Sequence, residues 1–431
     1  MDIISQMLEL ELGHSVDVYD TCDMSSKQTE AITKFCNGDN ILLISAAGCG
    51  KSLTVQKMKE ITKKRMYLTA TTGVAAYSIG GMTIQAFLGI GTGDSDVDVL
   101  IRKVLRNEDI RDRLRATDVL VIDEASMLSA ELFEKINQVL CAVRMSPLFF
   151  GGIQVIMSAD FLQATPVFNK FKTDKRLLIE SPLFLKKFSK SCIVLTENFR
   201  QRGNPEFIDL LMRLREGLHT EKDIGVLTKR LGISPSGPEP VHLVPMNALA
   251  SDINKRRMGS INRQPVEYVM RCSGNADLKH DLSSQFKAKG ADILHLKETA
   301  RVMLTRNIDT ENGLVNGACG TITSFVNGLP FVHFDHGIDH LVDYFEFKLE
   351  VDGKNGIVKQ IPLQVAYAST IHKSQSLSLD SAILDLKGCF CEHQVYVALS
   401  RVKTLDGVFL KSFDQKKITI NKKMLAFVNS V

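Results

Sequence analysis

With 431 residues, 44% hydrophobic and 24% charged, the chain has length enough for two or three domains with buried cores. A net charge of +4 permits nucleic-acid binding without arguing for it, and nine scattered cysteines read as reduced intracellular thiols rather than a disulfide framework. No run approaches the roughly 18 apolar residues of a membrane span, and an N-terminus carrying Glu9, Glu11 and Asp17 argues against secretory and Arg-rich transit peptides, so a soluble intracellular protein is expected.

The first 24 residues read as a pre-core segment. In Ser25-Ser26-Lys27-Gln28, the amide of Gln28 both donates and accepts, as reading an adenine edge requires. Ile41–Ile44 is an apolar run, readable as a buried strand. It enters Ser45-Ala46-Ala47-Gly48-Cys49-Gly50-Lys51-Ser52, and the helix-like stretch Lys51–Lys64 follows. This is the layout of a phosphate-cradling loop. Backbone N–H groups of 46–52 and the helix N-terminus face phosphates, Lys51 sets a charge near the β- and γ-phosphates, and Ser52 offers a hydroxyl to Mg²⁺. Ser45 stands where the usual spacing asks for Gly; a glycine-rich turn with a chance Lys-Ser is the competing reading.

Met66–Ala70 reads as the next strand. After it, Thr71-Thr72-Gly73 and Thr83-Ile84-Gln85-Ala86-Phe87 offer short donors to a phosphodiester backbone, and Phe87 a ring for stacking on a base. Helix capping and core packing account for these residues equally well. Val119–Ile122 is a buried-strand run ending in Asp123-Glu124. Adjacent carboxylates at a strand terminus are costly unless a cation or a reaction uses them. Asp123 suits a Mg²⁺ shell, and Glu124 suits orienting and deprotonating an attacking water. A further strand within Ile153–Met157 leads to Asp160-Phe161-Leu162-Gln163. Gln163 is either a γ-phosphate sensor or part of a polar turn before Pro166.

Beyond the strand Cys192–Leu195, Arg200 and Arg401 are either surface ion-pair partners or charges that a second domain supplies to phosphoryl transfer. Gly232–Pro240 reads as a surface loop, and a second α/β set begins at Val241–Val244. It resumes at Val365–Ala368, where Ser369–Gln375, with His372, Lys373 and Ser374, suits phosphodiester contacts. Between them, over 296–360, helical periodicity fades and β-rich pieces with Gly/Asn turns appear, as in an inserted barrel. Cys389-Phe390-Cys391-Glu392-His393 has no second Cys/His pair at ligand spacing, so zinc is not expected. The basic runs Lys57–Arg65 and Asn254–Arg257 read as solvated helix faces.

In their order, these motifs resemble the petite-integration-frequency (PIF) family of superfamily 1 DNA helicases, relatives of the RecD-type enzymes. The likeness runs from about Ser25 to Leu410. It rests on Gln28, the loop 45–52, Leu68–Ala76, Val121–Leu128, Phe150–Gln154, Asn198–Gln201, Leu314–Gly317, His372–Gln375 and Tyr396–Arg401. Ser45, Ala159, Ser376 and His393 depart from the family by replacing its usual glycines.

The resemblance implies an α/β fold of two RecA-like P-loop NTPase domains in tandem with a small inserted β-barrel of Src-homology type. It implies domain 1A over 25–195 with a 1B wedge near 92–115, domain 2A over 196–295 and 361–431, and domain 2B over 296–360. The implied catalytic set is Lys51, Asp123, Glu124, Gln163, Arg200 and Arg401. ATP falls on Gln28 and on Ser45, Ala46, Ala47, Gly48, Cys49, Gly50, Lys51 and Ser52, with Mg²⁺ on Ser52 and Asp123. DNA contacts fall on Thr72, Gly73, Thr83, Phe87, His372, Lys373 and Ser374. Gln394 and Tyr396 join them because Gln394–Phe413 matches a region the family associates with DNA. The implied activity is ATP-dependent 5′-to-3′ translocation on single-stranded DNA and unwinding of tailed duplexes by a monomer, largely independent of sequence, in replication, repair or recombination. A DNA-stimulated ATPase that remodels protein–DNA complexes without unwinding is the alternative.

Overall fold

Buried apolar runs become adjacent parallel strands in the first half of the chain. The structure, a computed structural model, describes residues 24–163, 166, 174–309, 311–351, 354–375 and 377–431. Ser376 and all but the last residue of the pre-core segment lie outside the described residues. Strands β1 (Ile41–Ser45), β2 (Met66–Ala70), β3 (Met82–Thr83), β4 (Val119–Asp123), β5 (Gln154–Ala159) and β6 (Cys192–Leu195) form one sheet in the order β3-β2-β4-β5-β1-β6. Every pairing is parallel. All of β1 is buried, as strands covered on both faces require. The register sets Ile44 beside Ala159 and Ile122 beside Met157. The loops after β1, β4 and β5 therefore emerge along one edge, where open α/β sheets bind ligands.

The region near 92–115 holds two helices, Val97–Arg106 and Glu108–Ala116. Leu100, Val104 and Leu114 anchor them in the first core, in one cluster with Phe133 and Val139 of the helix Ala130–Arg144.

The second sheet is also parallel, with Ala368–Thr370, Val241–Val244, Ala382–Asp385 and Val408–Ser412 in that spatial order. Between its first two strands in sequence lies an antiparallel insertion. Five strands pair in the order 339–341, 329–334, 319–326, 301–304, 363–365. A three-stranded sheet joins 345–351 to 354–360 and then to 271–274. The β-rich region expected at 296–360 thus draws in earlier residues: Arg271–Gly274 pairs with 356–359, and Val266–Val269 with Ile293–Leu296. Every residue of Arg271–Gly274 is exposed, so no apolar run marked it as a strand.

The C-terminal helix Lys422–Val428 leaves the second domain and packs on the first. The Phe427 ring centroid lies 5.1 Å from that of Phe161 and 6.0 Å from that of Phe184, and Lys423 pairs with Glu180 at 2.6 Å.

Candidate nucleotide site and nucleic-acid groove

After β1 the backbone turns through two left-handed glycines, Gly48 and Gly50, both at φ 81°. Neither position has room for a side chain: a Cβ on Gly50 would lie 2.6 Å from Gln28 Nε2, and one on Gly48 2.7 Å from Arg200 Cβ. Gly50 caps the helix Lys51–Ile61 without a side-chain hydrogen bond, so no side chain claims the first-turn N–H groups in the manner of an N-cap. The Lys51 ammonium donates to Ser45 Oγ at 2.9 Å, Ser45 O at 3.2 Å and Ala46 O at 3.4 Å. Gln28 is buried under the loop. Its Oε1 accepts from Ser25 N and its Nε2 donates to Gly50 O, so its amide braces the loop and caps its own helix.

The carboxylates stand where β4 ends. Thr71 fixes them, its N–H on Asp123 O at 3.2 Å and its hydroxyl on Glu124 O at 2.9 Å. Glu124 sits at φ 50°, ψ 40°, a left-handed conformation that a non-glycine residue adopts at a cost and that clusters at functional sites. Asp123 Oδ1 accepts a short hydrogen bond from Ser158 Oγ. Burial pushes the Asp123 carboxyl above its ordinary range. Burial, then the charge of Asp123, raises Glu124 to about 7.

The second domain closes the site. Phe199 N–H donates to Gly48 O at 2.9 Å, Asn198 Nδ2 to Ala47 O at 3.3 Å, and Ala47 N–H to the Tyr396 hydroxyl at 3.2 Å. Arg200 donates to Ser378 Oγ at 2.8 Å and Ser400 O at 3.0 Å. Arg401, 2% exposed, donates to Val397 O, Ser400 Oγ and Gln163 Oε1. Among the described residues neither arginine pairs with a carboxylate. Burial, then Arg401 alongside, lowers Arg200 to about 9. Two confined cations with only neutral partners suit an anion. They share a cavity of about 1110 Å³ with Gly48, Gly50, Lys51, Ser52, Asp123, Glu124 and Gln163. The residues expected to perform catalysis are thereby brought together. Of the other loop residues, Ala47 and Cys49 also line the cavity, and Cys49 is a buried thiol that burial pushes up.

The residues expected to touch DNA divide. Thr72, His372 and Lys373 line the same cavity, and Lys373 also lines a second one of about 700 Å³ between the second domain and the insertion, with Asn247, Asn254, Ser369 and Thr370. A Cβ on Gly73 would meet nothing within 4 Å. Thr83 caps the helix Ile84–Leu88 through its hydroxyl. The other four turn inward. Phe87 is fully buried, 5.3 Å from the Tyr67 ring and covered by the Arg113 guanidinium at 5.4 Å, so it has no face for a base. Ser374 is buried, its hydroxyl on Ile371 O. Gln394 accepts from Phe390 N and Cys391 N and braces its own loop. Tyr396 lies in the domain interface on Ala47.

Sequence reasoning missed Ser158, Ser378, Ser400 and Arg215. The last carried a signal: Phe207, Leu211 and Arg215 recur at four-residue spacing, which sets a charge on the apolar stripe of the helix Pro205–Glu216. Of the glycine replacements, Ala159 is buried at the end of β5. His393 keeps a left-handed backbone at φ 60°, and its Nε2 accepts from Asn421 N–H at 3.0 Å, tying down the C-terminal segment.

A family model described as PIF1-like helicase matches residues 23–224, and one described as the DNA helicase Pif1 2B domain matches 283–325. The chain is 33% identical over 422 residues to ATP-dependent DNA helicase PIF1 of Xenopus laevis, covering 95% of this chain and 64% of that protein. It thus spans just under two thirds of the vertebrate relative. Against ATP-dependent DNA helicase Pif1 of Bdellovibrio bacteriovorus it is 30% identical over 409 residues, covering 94% of this chain and 91% of that one. The structure of Bacteroides sp Pif1 in complex with ADP-AlF4 superimposes with a TM-score of 0.80 at 26% identity, over 95% of this chain and 97% of that one. For Bacteroides Pif1 bound to ssDNA the TM-score is 0.65 at 26% identity, over 94% and 97%. On these likenesses, and on a nucleotide-sized cavity walled by both α/β domains, the chain belongs to the PIF1-like helicase family.

Proposed function

We propose that the chain is an ATP- and Mg²⁺-dependent DNA helicase that moves 5′ to 3′ along single-stranded DNA and unwinds tailed duplexes as a monomer. The carrying observation is one cavity in which Lys51, Ser52, Asp123 and Glu124 of the first domain face Arg200 and Arg401 of the second. In this reading, Lys51 and the loop N–H groups hold the phosphates. Glu124 takes a proton from water as the water oxygen bonds to the γ-phosphorus, and the β–γ bridging oxygen leaves with ADP. Arg200 and Arg401 stabilise the charge on the transferred phosphoryl group, so turnover depends on how the domains sit. Mg²⁺ fits the donors present: the Ser52 hydroxyl and the Asp123 carboxylate line the same cavity, and burial raises two adjacent carboxyls there, a strain that a cation relieves. When bound, it neutralises phosphate charge.

For DNA, the polar side chains Lys373, Asn247, Asn254, Ser369 and Thr370 gathered in the second cavity suit sequence-independent contacts to phosphodiesters. Phe390, 65% exposed with its ring centroid 6.4 Å from that of His372, takes the stacking role once read onto Phe87. No helix among the described residues is long and apolar enough to cross a membrane. The test is strand separation of forked duplexes with ATP and Mg²⁺. A 5′ tail supports unwinding, a 3′ tail does not, and Lys51→Ala abolishes it. ATP turnover stimulated by single-stranded DNA without separation would instead support the translocase reading.

A further inference from the structure

Arg215 lies on the helix Pro205–Glu216, whose apolar face, with Phe207, Leu210 and Leu214, belongs to the core of the second domain. Its guanidinium does not stay there. Nη2 donates to Asp160 Oδ1 at 2.7 Å, and Asp160 follows β5 of the first domain. The pair is almost sealed from solvent, with side chains 5% and 1% exposed, and the buried Arg215 Nε has no hydrogen-bond partner among the described residues.

Asp160 has a second task. Its Oδ2 accepts from Gln163 Nε2 at 2.7 Å, and its Oδ1 also takes Leu162 N–H at 3.1 Å. An ionised carboxylate only accepts, so Gln163 must spend its NH₂ on Asp160 and turn its carbonyl oxygen to the cleft. That oxygen meets Arg401 Nη2 at 3.5 Å. Burial alone would push the Asp160 carboxyl up; the charges of Arg215 and then Lys51 outweigh it and hold the group below its ordinary value. Without Arg215, Asp160 loses its buried ion-pair partner and its hold on the Gln163 NH₂, the Gln163 amide can reverse, and an NH₂ then faces the Arg401 cation.

We infer that Arg215 is a positioning residue through which the second domain, by way of Asp160, fixes which end of the Gln163 amide faces the bound nucleotide. The inference rests on the proposed ATPase reading of the site. It assigns the domain interface a buried polar contact that sets the first domain's phosphate sensor, separate from the two arginines in the cavity.

The experiment is a double-mutant cycle on ATP turnover by the full chain with Mg²⁺ and single-stranded DNA. Arg215→Met lowers kcat about tenfold or more, with the KM for ATP and the affinity for ADP within threefold of wild type. Gln163→Ala lowers kcat similarly, and the double variant stays within twofold of Gln163→Ala. A general loss of packing would instead multiply the two effects, and multiplicative effects overturn the inference, as does an unchanged kcat in Arg215→Met. If Arg215→Met does not fold, Arg215→Gln enters the same cycle and additivity decides in the same way. Wild-type protein with no turnover above Lys51→Ala overturns the ATPase reading itself; normal wild-type turnover with a multiplicative cycle overturns only the role of Arg215.

Discussion

The Lys51 ammonium rests 2.9 Å from the hydroxyl of Ser45, the residue that replaces the first glycine of the phosphate loop. The serine therefore touches Lys51 rather than crowding the loop N–H groups, and in the proposed reading it must release the ammonium when phosphate arrives. A hydrogen bond to a charged group contributes about 1.5–3 kcal/mol, but the carbonyls of Ser45 and Ala46 at 3.2 and 3.4 Å offset most of its loss. Ser45→Gly should lower the KM for ATP two- to fivefold, by rough scaling from that residual difference, and leave kcat within about tenfold, or ~1.4 kcal/mol of barrier. Steady-state kinetics decide it. A larger rise in kcat would mean that Ser45 restrains the chemistry itself.

With Glu124 as the proposed base, a carboxyl raised to about 7 gives the reaction an acid limb. Glu124 must be ionised to take a proton, so kcat/KM, which reports the free enzyme, should be flat above pH 7 and fall about tenfold per pH unit below it. Glu124→Gln should remove the limb and cost about 10²–10⁴-fold in kcat. Stability runs the other way. The folded state binds this proton more tightly than the unfolded state, so the group's stabilising contribution is full below the ordinary value of 4.5 and is lost as pH rises through about 7. Glu124→Gln should melt higher than wild type at pH 8 and level with it near pH 4; equal melting at pH 8 would count against the raised carboxyl.

The candidate nucleotide site was legible because its residues lie at strand ends, and a parallel sheet brings strand ends together. Gly48, Lys51, Asp123, Glu124 and Gln163 each follow an apolar run, so local pattern alone predicts their shared edge. Reading Arg200 and Arg401 as candidate arginine fingers needed the order of motifs as well, because nothing local separates such a role from a surface ion pair. The DNA set was less legible. Phe87 and Tyr396 are aromatic in any reading, and only the packing of Tyr67, Arg113 and Ala47 around them shows which way they face. Arg271–Gly274 joins a sheet through backbone pairing with all four residues exposed, a contact that leaves no trace in hydrophobic pattern.

Phe390, exposed, and Phe87, buried, should separate cleanly. Phe390→Ala should weaken single-stranded DNA binding by about 1–3 kcal/mol, the usual worth of one stacked base, without lowering the melting temperature. Phe87→Ala should cost about 3–5 kcal/mol of stability, as for any large aromatic removed from a core. Fluorescence anisotropy and thermal melts on the same samples check both. Unchanged DNA affinity in Phe390→Ala would overturn the stacking role proposed for this ring.

Phe427 tests whether the C-terminal helix holds the domains together. Its ring, 9% exposed, packs on Phe161 and Phe184 of the first domain, while the segment just before it is tied to His393 of the second. Phe161 directly follows Asp160, so the helix leans on the turn that carries Gln163. Removing the ring leaves a cavity in the first core and unpins the second domain in one step. Phe427→Ala should cost roughly 3 kcal/mol, or about 6–12 °C in the melting of a domain of this size. It should also raise the KM for ATP, because a looser interface spends more time with Arg200 and Arg401 away from the loop. Phe427→Leu keeps much of the apolar volume and should recover most of both losses. A melting temperature unchanged within a degree in Phe427→Ala would show that the helix adds nothing to the domain contact.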